Sequence, residues 1–181
     1  MDKKVLNKII IISIAGIFLT VLLTMDSAFQ KRECEINLPT LEYDEKLDVS
    51  TIYIIDRNTA DYTSIRSKKL HEEISNSKNE IATREKYVGK DIVVTGQIYS
   101  ISEDSFEIMT SINNYGWNSL HIRVFDVSHK VILSLLEGEF VTVVGCCTNV
   151  TTGLLSSFIN LSYSYCTTDK GTLTMTYYVS E

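Results

Sequence analysis

From Asp91 onward the chain alternates with period two: Ile92, Val94 and Ile98 fall on one face of an extended segment, and Val93, Thr95 and Gln97 on the other. This alternation predicts a strand. Beyond the polar turn "SISED", "SFEIMTSI" predicts a second strand, and "LHIRVF", Leu120 to Phe125, a third after the loop "NNYGWNS". The period then changes: in "DVSHKVILSLLEG", Val131, Leu135 and Leu136 fit a helical stripe, with Asp126 or Ser128 placed to cap its start and Gly138 to end it. "EFVTVVGCC" and "SFINLSYSYC" restore the alternation as fourth and fifth strands. Upstream, residues 64–86 are polar and helix-favouring, with Leu70, Ile74 and Ile81 forming a narrow apolar stripe expected to pack on the sheet. The Ser77 and Glu80 spacing of a capping box predicts that this helix breaks and restarts. Residues 26–63 read as a linker or partly ordered segment whose run "STIYIID" is either a strand or a contact laid against the domain, and the tail 167–181 offers "TLTMTYYV" as an extra strand.

Three strands, a helix and two strands is the order of an OB-fold, a five-stranded, partly open barrel. The expected fold is therefore mainly β, an OB-fold barrel over 87–166, preceded by an N-terminal membrane helix and an α-helical segment. Two phrases repeat within it, "YVGKDIVVTGQI" (residues 87–98) and "LEGEFVTVVGCC" (residues 136–147). The first and fourth strands of such a barrel lie side by side. Both need inward branched residues at alternate positions and a glycine where a strongly coiled strand bends, the place that Gly96 and Gly145 hold.

The N-terminus carries Lys3, Lys4 and Lys8 over residues 1–8, and then runs uncharged from Ile9 to Met25. As a helix this segment reaches about 26 Å, slightly less than the roughly 30 Å hydrocarbon core. We read it as a transmembrane signal-anchor; the rival is a cleaved signal peptide and a secreted product, against which Asp26 occupies a small-residue position of a cut after Ala28. The preceding lysines favour a cytoplasmic N-terminus, although Lys31 and Arg32 weaken the bias. The remainder is then expected outside the cytoplasm.

A length of 181 residues, 44% apolar and 22% charged, suits one globular domain beside that segment. Cys34, Cys146, Cys147 and Cys166 are even in number, as in proteins of oxidising compartments. Cys146 and Cys147 are neighbours and point to opposite faces of a strand, so one of the two is expected to pair with Cys166. With no CxxC spacing and no histidine near these thiols in sequence, zinc is not expected. Neither a Gly-rich phosphate loop nor a nucleophile elbow occurs, Glu103 and Asp104 read as a solvated turn, and His121 and His129 stand singly, so no enzyme and no cofactor is expected.

The stretches "NEIATREKYVGKDIVVTGQI" and "LLEGEFVTVVGCC", with Cys166 downstream, resemble the tRNA-anti-like family of OB-fold proteins over roughly residues 64–166. Thr83, the doubled cysteine and the tail depart from that pattern. The resemblance implies a fold and a Cys147–Cys166 bridge, but no activity. Counted from Ile159 and Leu161, Cys166 falls on the face opposite Cys147, so the bridge requires a bulge in the fifth strand; without one, Cys146 is the partner. Nucleic acid, which the family name suggests, is disfavoured. From Tyr87 to Cys166 three cations, Lys90, Arg123 and Lys130, face seven carboxylates, a net charge of minus four that repels phosphate. OB-folds bind through strands two and three and the adjoining loops. Those places hold Tyr99, Phe106, Tyr115, Trp117, His121 and Arg123, with residues 149–157 as the later loop. The expected function is a membrane-tethered, extracytoplasmic module binding a protein, peptide or glycan, unless Phe106 and Trp117 are core plugs. The alternative is an assembly protein acting through the edge formed by "TLTMTYYV".

Overall fold

The computed structural model describes residues 31–39, 43–44, 49–111, 119–152, 156–168 and 172–180. Strands β1 (Lys31–Leu38), β2 (Tyr43–Asp44), β3 (Val49–Ile55) and β4 (Tyr62–Arg66) precede helices α1 (Ser67–Ser75) and α2 (Glu80–Tyr87). Then come β5 (Asp91–Ile101), β6 (Phe106–Met109), β7 (Ser119–Phe125), the short helix α3 (His129–Ile132), β8 (Phe140–Thr152), β9 (Ser156–Thr167) and β10 (Leu173–Ser180). The stretch read as a linker thus carries β1, β2, β3 and the start of β4, and the tail carries β10. Among the described residues no helix is long and apolar enough to cross a membrane; the segment 9–25 lies outside them.

β5 to β9 form a closed five-stranded barrel in the order β5-β6-β7-β9-β8, with β8 returning to pair with β5. Every pairing is antiparallel except β7 with β9. The period-two alternation explains the packing. Ile92, Val94, Ile98, Val141 and Val143 fill the interior with Ile108, Ile122, Ile159 and Leu161, and Leu70, Ile74 and Tyr87 from the two helices join the same core. Ile81 does not join the expected stripe: it is 70% exposed, because the helix breaks after Ser75 and restarts with the Asn79 side chain accepting from the Ala82 N–H, which turns its face away. The cap is thus two residues later than the Ser77–Glu80 spacing predicts. α3 is a single turn, shorter than predicted, and leaves Leu136 exposed.

The repeated phrases answer to one another across the β5–β8 ladder, which runs from Asp91 opposite Cys146 to Gln97 opposite Phe140. Near the start of each is a glycine with positive φ, Gly89 at 84° just past α2 and Gly138 at 83° in the turn before β8, a conformation that costs a side chain roughly 1–2 kcal/mol. These lead-ins extend the ladder reciprocally: the Gly89 N–H donates to the Cys147 carbonyl and the Gly138 N–H to the Ile98 carbonyl, at 2.8 and 2.9 Å. The inner glycines lie where strands crowd. A Cβ on Gly96 would stand 2.5 Å from the Met109 carbonyl oxygen, and one on Gly145 2.7 Å from that of Ser162.

A second apolar layer covers the outside of β3, β5 and β8. β1 and β10 pair over eight residues as an antiparallel ribbon. Its inner side chains, among them Ile36, Leu38, Leu173, Met175 and Tyr177, pack on Tyr53, Ile55, Ala60, Val93 and Val144. The Tyr177 hydroxyl donates to Asp91 Oδ2 at 2.8 Å, and Arg57 Nε donates to the same oxygen at 3.1 Å. Asp91 is buried, and its Oδ1 has no partner among the described residues.

The expected disulfide is not formed, and all four cysteines are free. β9 does carry a bulge, since Tyr163 lies opposite Gly145 and Tyr165 opposite Val144, and the skipped Ser164 turns Cys166 onto the barrel interior. Face is therefore not the obstacle. Cys166 sits opposite Val143, four residues from Cys147, about 13 Å along a strand and too far for a bridge; Cys146, opposite Ser162, is equally misplaced. Burial pushes the Cys147 thiol up to about 12 and that of Cys166 up to about 11.

Candidate ligand-binding face

On β7 the residues Ser119, His121 and Arg123 follow at two-residue spacing and therefore share the outer face, while Leu120, Ile122 and Val124 enter the core. Register places Glu107 of β6 opposite Arg123 and Phe158 of β9 beside His121. Glu107 organises the group. His121 Nδ1 donates to its Oε1 at 2.6 Å, and Arg123 Nε donates to its Oε2 at 2.8 Å. A carboxylate only accepts, so a proton lies on Nδ1, and on its other side the ring's Nε2 shares a 2.8 Å hydrogen bond with the Ser119 hydroxyl. Burial alone would raise the Glu107 carboxyl, but the hydrogen bonds and charges of His121 and Arg123 outweigh it and hold it below the usual carboxylate range.

Aromatic rings flank this network. The Arg123 guanidinium lies 3.8 Å from the Phe158 ring centroid, a cation–π stack, and His121 stands 5.3 Å from the same ring. Tyr99 meets His121 edge-on at 6.0 Å. It reaches this face through a β-bulge: Ile98 pairs with Ile108 and Ser100 with Glu107, so the extra residue, Tyr99, is turned outward and remains 51% exposed. Beside it opens a groove lined by Ser100, Ser102, Ser105, Glu107, Arg123 and Phe125, at the turn joining β5 to β6.

Of the residues singled out from sequence, Tyr99, His121 and Arg123 come together here. Phe106 is 3% exposed and faces the barrel core, as the alternation along β6 dictates, and reaches the site only as part of the groove lining. Tyr115 and Trp117 lie outside the described residues. Sequence reasoning missed Glu107, Ser119 and Phe158, although the spacing of Ser119, His121 and Arg123 already placed those three on one face. Among the described residues no three His, Cys, Asp or Glu side chains converge to hold a metal ion.

Ser119, His121 and Glu107 have the connectivity of a nucleophilic relay. Ser119 is nevertheless 2% exposed, and a serine that attacks must come within about 3 Å of its target. The chain of hydrogen bonds fixes the imidazole and the carboxylate in place and holds Arg123 against Phe158.

Compared with family models, curated proteins and solved structures, the chain matches none. The resemblance to the tRNA-anti-like family therefore rests on the quoted residues themselves.

Proposed function

We propose that this chain is a membrane-tethered, extracytoplasmic OB-fold module that binds its ligand on the outer face of β6 and β7. The observation that carries this reading is the preorganised Glu107–His121–Arg123 network with Phe158 and the bulged Tyr99, on the strands and beside the turn where such barrels bind. The strand order of the barrel, with its one parallel pair, supports the OB assignment, as does the resemblance to the tRNA-anti-like family. The tether rests on the uncharged run from Ile9 to Met25.

Among protein, peptide and glycan ligands, the groove favours a glycan. Its ion pair cancels its own charge, its serines offer hydroxyls, and Phe125 in the groove and the exposed Tyr99 next to Ser100 present rings on which a sugar can stack. Nucleic acid finds no free cationic track here, since Arg123 is already paired with Glu107. The test is a glycan array probed with the detergent-solubilised full chain, together with the Tyr99→Ala and Arg123→Ala variants. Saturable binding to a set of glycans that either variant reduces at least tenfold is the expected result. Binding unaffected by both substitutions, or labelling of Ser119 by a fluorophosphonate ester, would overturn the reading.

A further inference from the structure

The β1–β10 ribbon has two outer edges of unlike character. β1 brings Lys31, Arg32, Glu33 and Glu35 to its edge, charges that discourage pairing with another strand. β10 brings no charge and no proline over Leu173–Ser180, and its eight-residue register with β1 runs without a bulge. In an antiparallel pair alternate residues direct their N–H and C=O groups to opposite edges, so the far edge of β10 presents a row of donors and acceptors. Among the described residues no strand other than β1 pairs with β10. The edge is also held in shape, because Met175, Tyr177 and Val179 pack on the barrel and the Tyr177 hydroxyl is bonded to Asp91.

We infer that β10 pairs antiparallel with β10 of a second copy, joining two ribbons into a four-stranded sheet. The occupant is a second copy because the strand is compatible with its own reverse. With a two-fold axis at Thr176, Thr176 faces its equivalent, Thr174 faces Tyr178, Met175 faces Tyr177 and Leu173 faces Val179. In each pair both side chains lie on the same side of the sheet, the Thr and Tyr pairs outward and the Met, Leu and Val pairs toward the two barrels. No charge on either strand opposes the pairing. The contact is isologous and closes as a dimer, leaving the β6–β7 face of each copy open.

The full chain in detergent micelles, followed by sedimentation velocity and by cysteine cross-linking, tests this. Association that grows with protein concentration is expected for the wild type, and Thr176→Lys, on the exposed outer face, should abolish it without altering the circular dichroism spectrum. Thr176→Cys should give a disulfide-linked dimer under mild oxidation, because residues facing across the axis lie about 5 Å apart between Cα atoms, within bridging range. Thr174→Cys and the wild type, whose native thiols serve as the control, should not. A wild type that stays monomeric throughout, association indifferent to Thr176→Lys, or equal cross-linking at positions 174 and 176 would each overturn the inference.

Discussion

Glu107 carries more of the candidate site than its isolated place in the sequence suggests, because one carboxylate fixes both His121 and Arg123. Its folded-state pKa is shifted down, so its contribution to stability is present above the ordinary carboxylate range and is lost as pH falls through the folded value. Glu107→Gln should therefore destabilise the protein by about 1–3 kcal/mol at neutral pH, the scale of hydrogen bonds to charged groups, and the difference from wild type should start to shrink below about pH 4 and vanish only below the lower folded-state value. Urea unfolding of both proteins across pH checks it; a difference that persists in acid would contradict the sign. The thiols supply a second prediction at this scale. With Cys147 buried, Cys166 half-buried against the core and the acidities of both thiols suppressed, a maleimide should modify Cys34 and Cys146 first, and Cys166→Ser should lower stability equally with and without reductant. A Cys147–Cys166 peptide recovered without reduction would refute the register of β8 and β9.

At the scale of elements, the barrel strands were legible because each has one face in the barrel core, which the alternation of β9 reports directly, while β5 and β8 also bury Val93 and Val144 beneath the ribbon. The ribbon was harder to read. β1 does alternate, with Cys34, Ile36 and Leu38 inward, but its outward charges break the apolar run that marks a strand. The site was only partly legible for a related reason: Glu107 and Phe158 meet β7 through cross-strand register, and Tyr99 joins them at a bulge in β5, neither of which a local signal announces. The predicted bridge failed on register too, although the face assignment of Cys166 was recovered by the bulge at Ser164. One buried carboxylate, Asp91, adds a polar tie to the apolar layer that fastens the ribbon. Tyr177→Phe removes a donor from Asp91, whose other oxygen is already unpartnered, and should cost about 1–2 kcal/mol. Hydrogen exchange of the full chain should show β1 and β10 losing protection while β5 and β8 keep theirs; uniform loss would mean that ribbon and barrel unfold as one unit.

For the whole molecule, the free thiols remove one argument for an oxidising compartment, so the proposed outward placement rests on the run from Ile9 to Met25 and the lysines before it. The full chain should accordingly remain in the membrane fraction after alkaline and high-salt washes, and a reporter fused after Glu181 should be active only outside the cytoplasm; a soluble, N-terminally shortened product would sink the anchor. If the chain is held from its N-terminal side, any tension enters the domain at Lys31, whose partner across the ribbon is Ser180 near the opposite terminus. Load applied there meets the β1–β10 hydrogen bonds one pair at a time, in the manner of a zipper, rather than all together as in shear. β1 would peel first, yielding about 26 Å of slack from its eight residues before the barrel bears any force. On such an anchor the ribbon would act as a mechanical fuse, giving way under a pull on a bound ligand while the β6–β7 face keeps its shape.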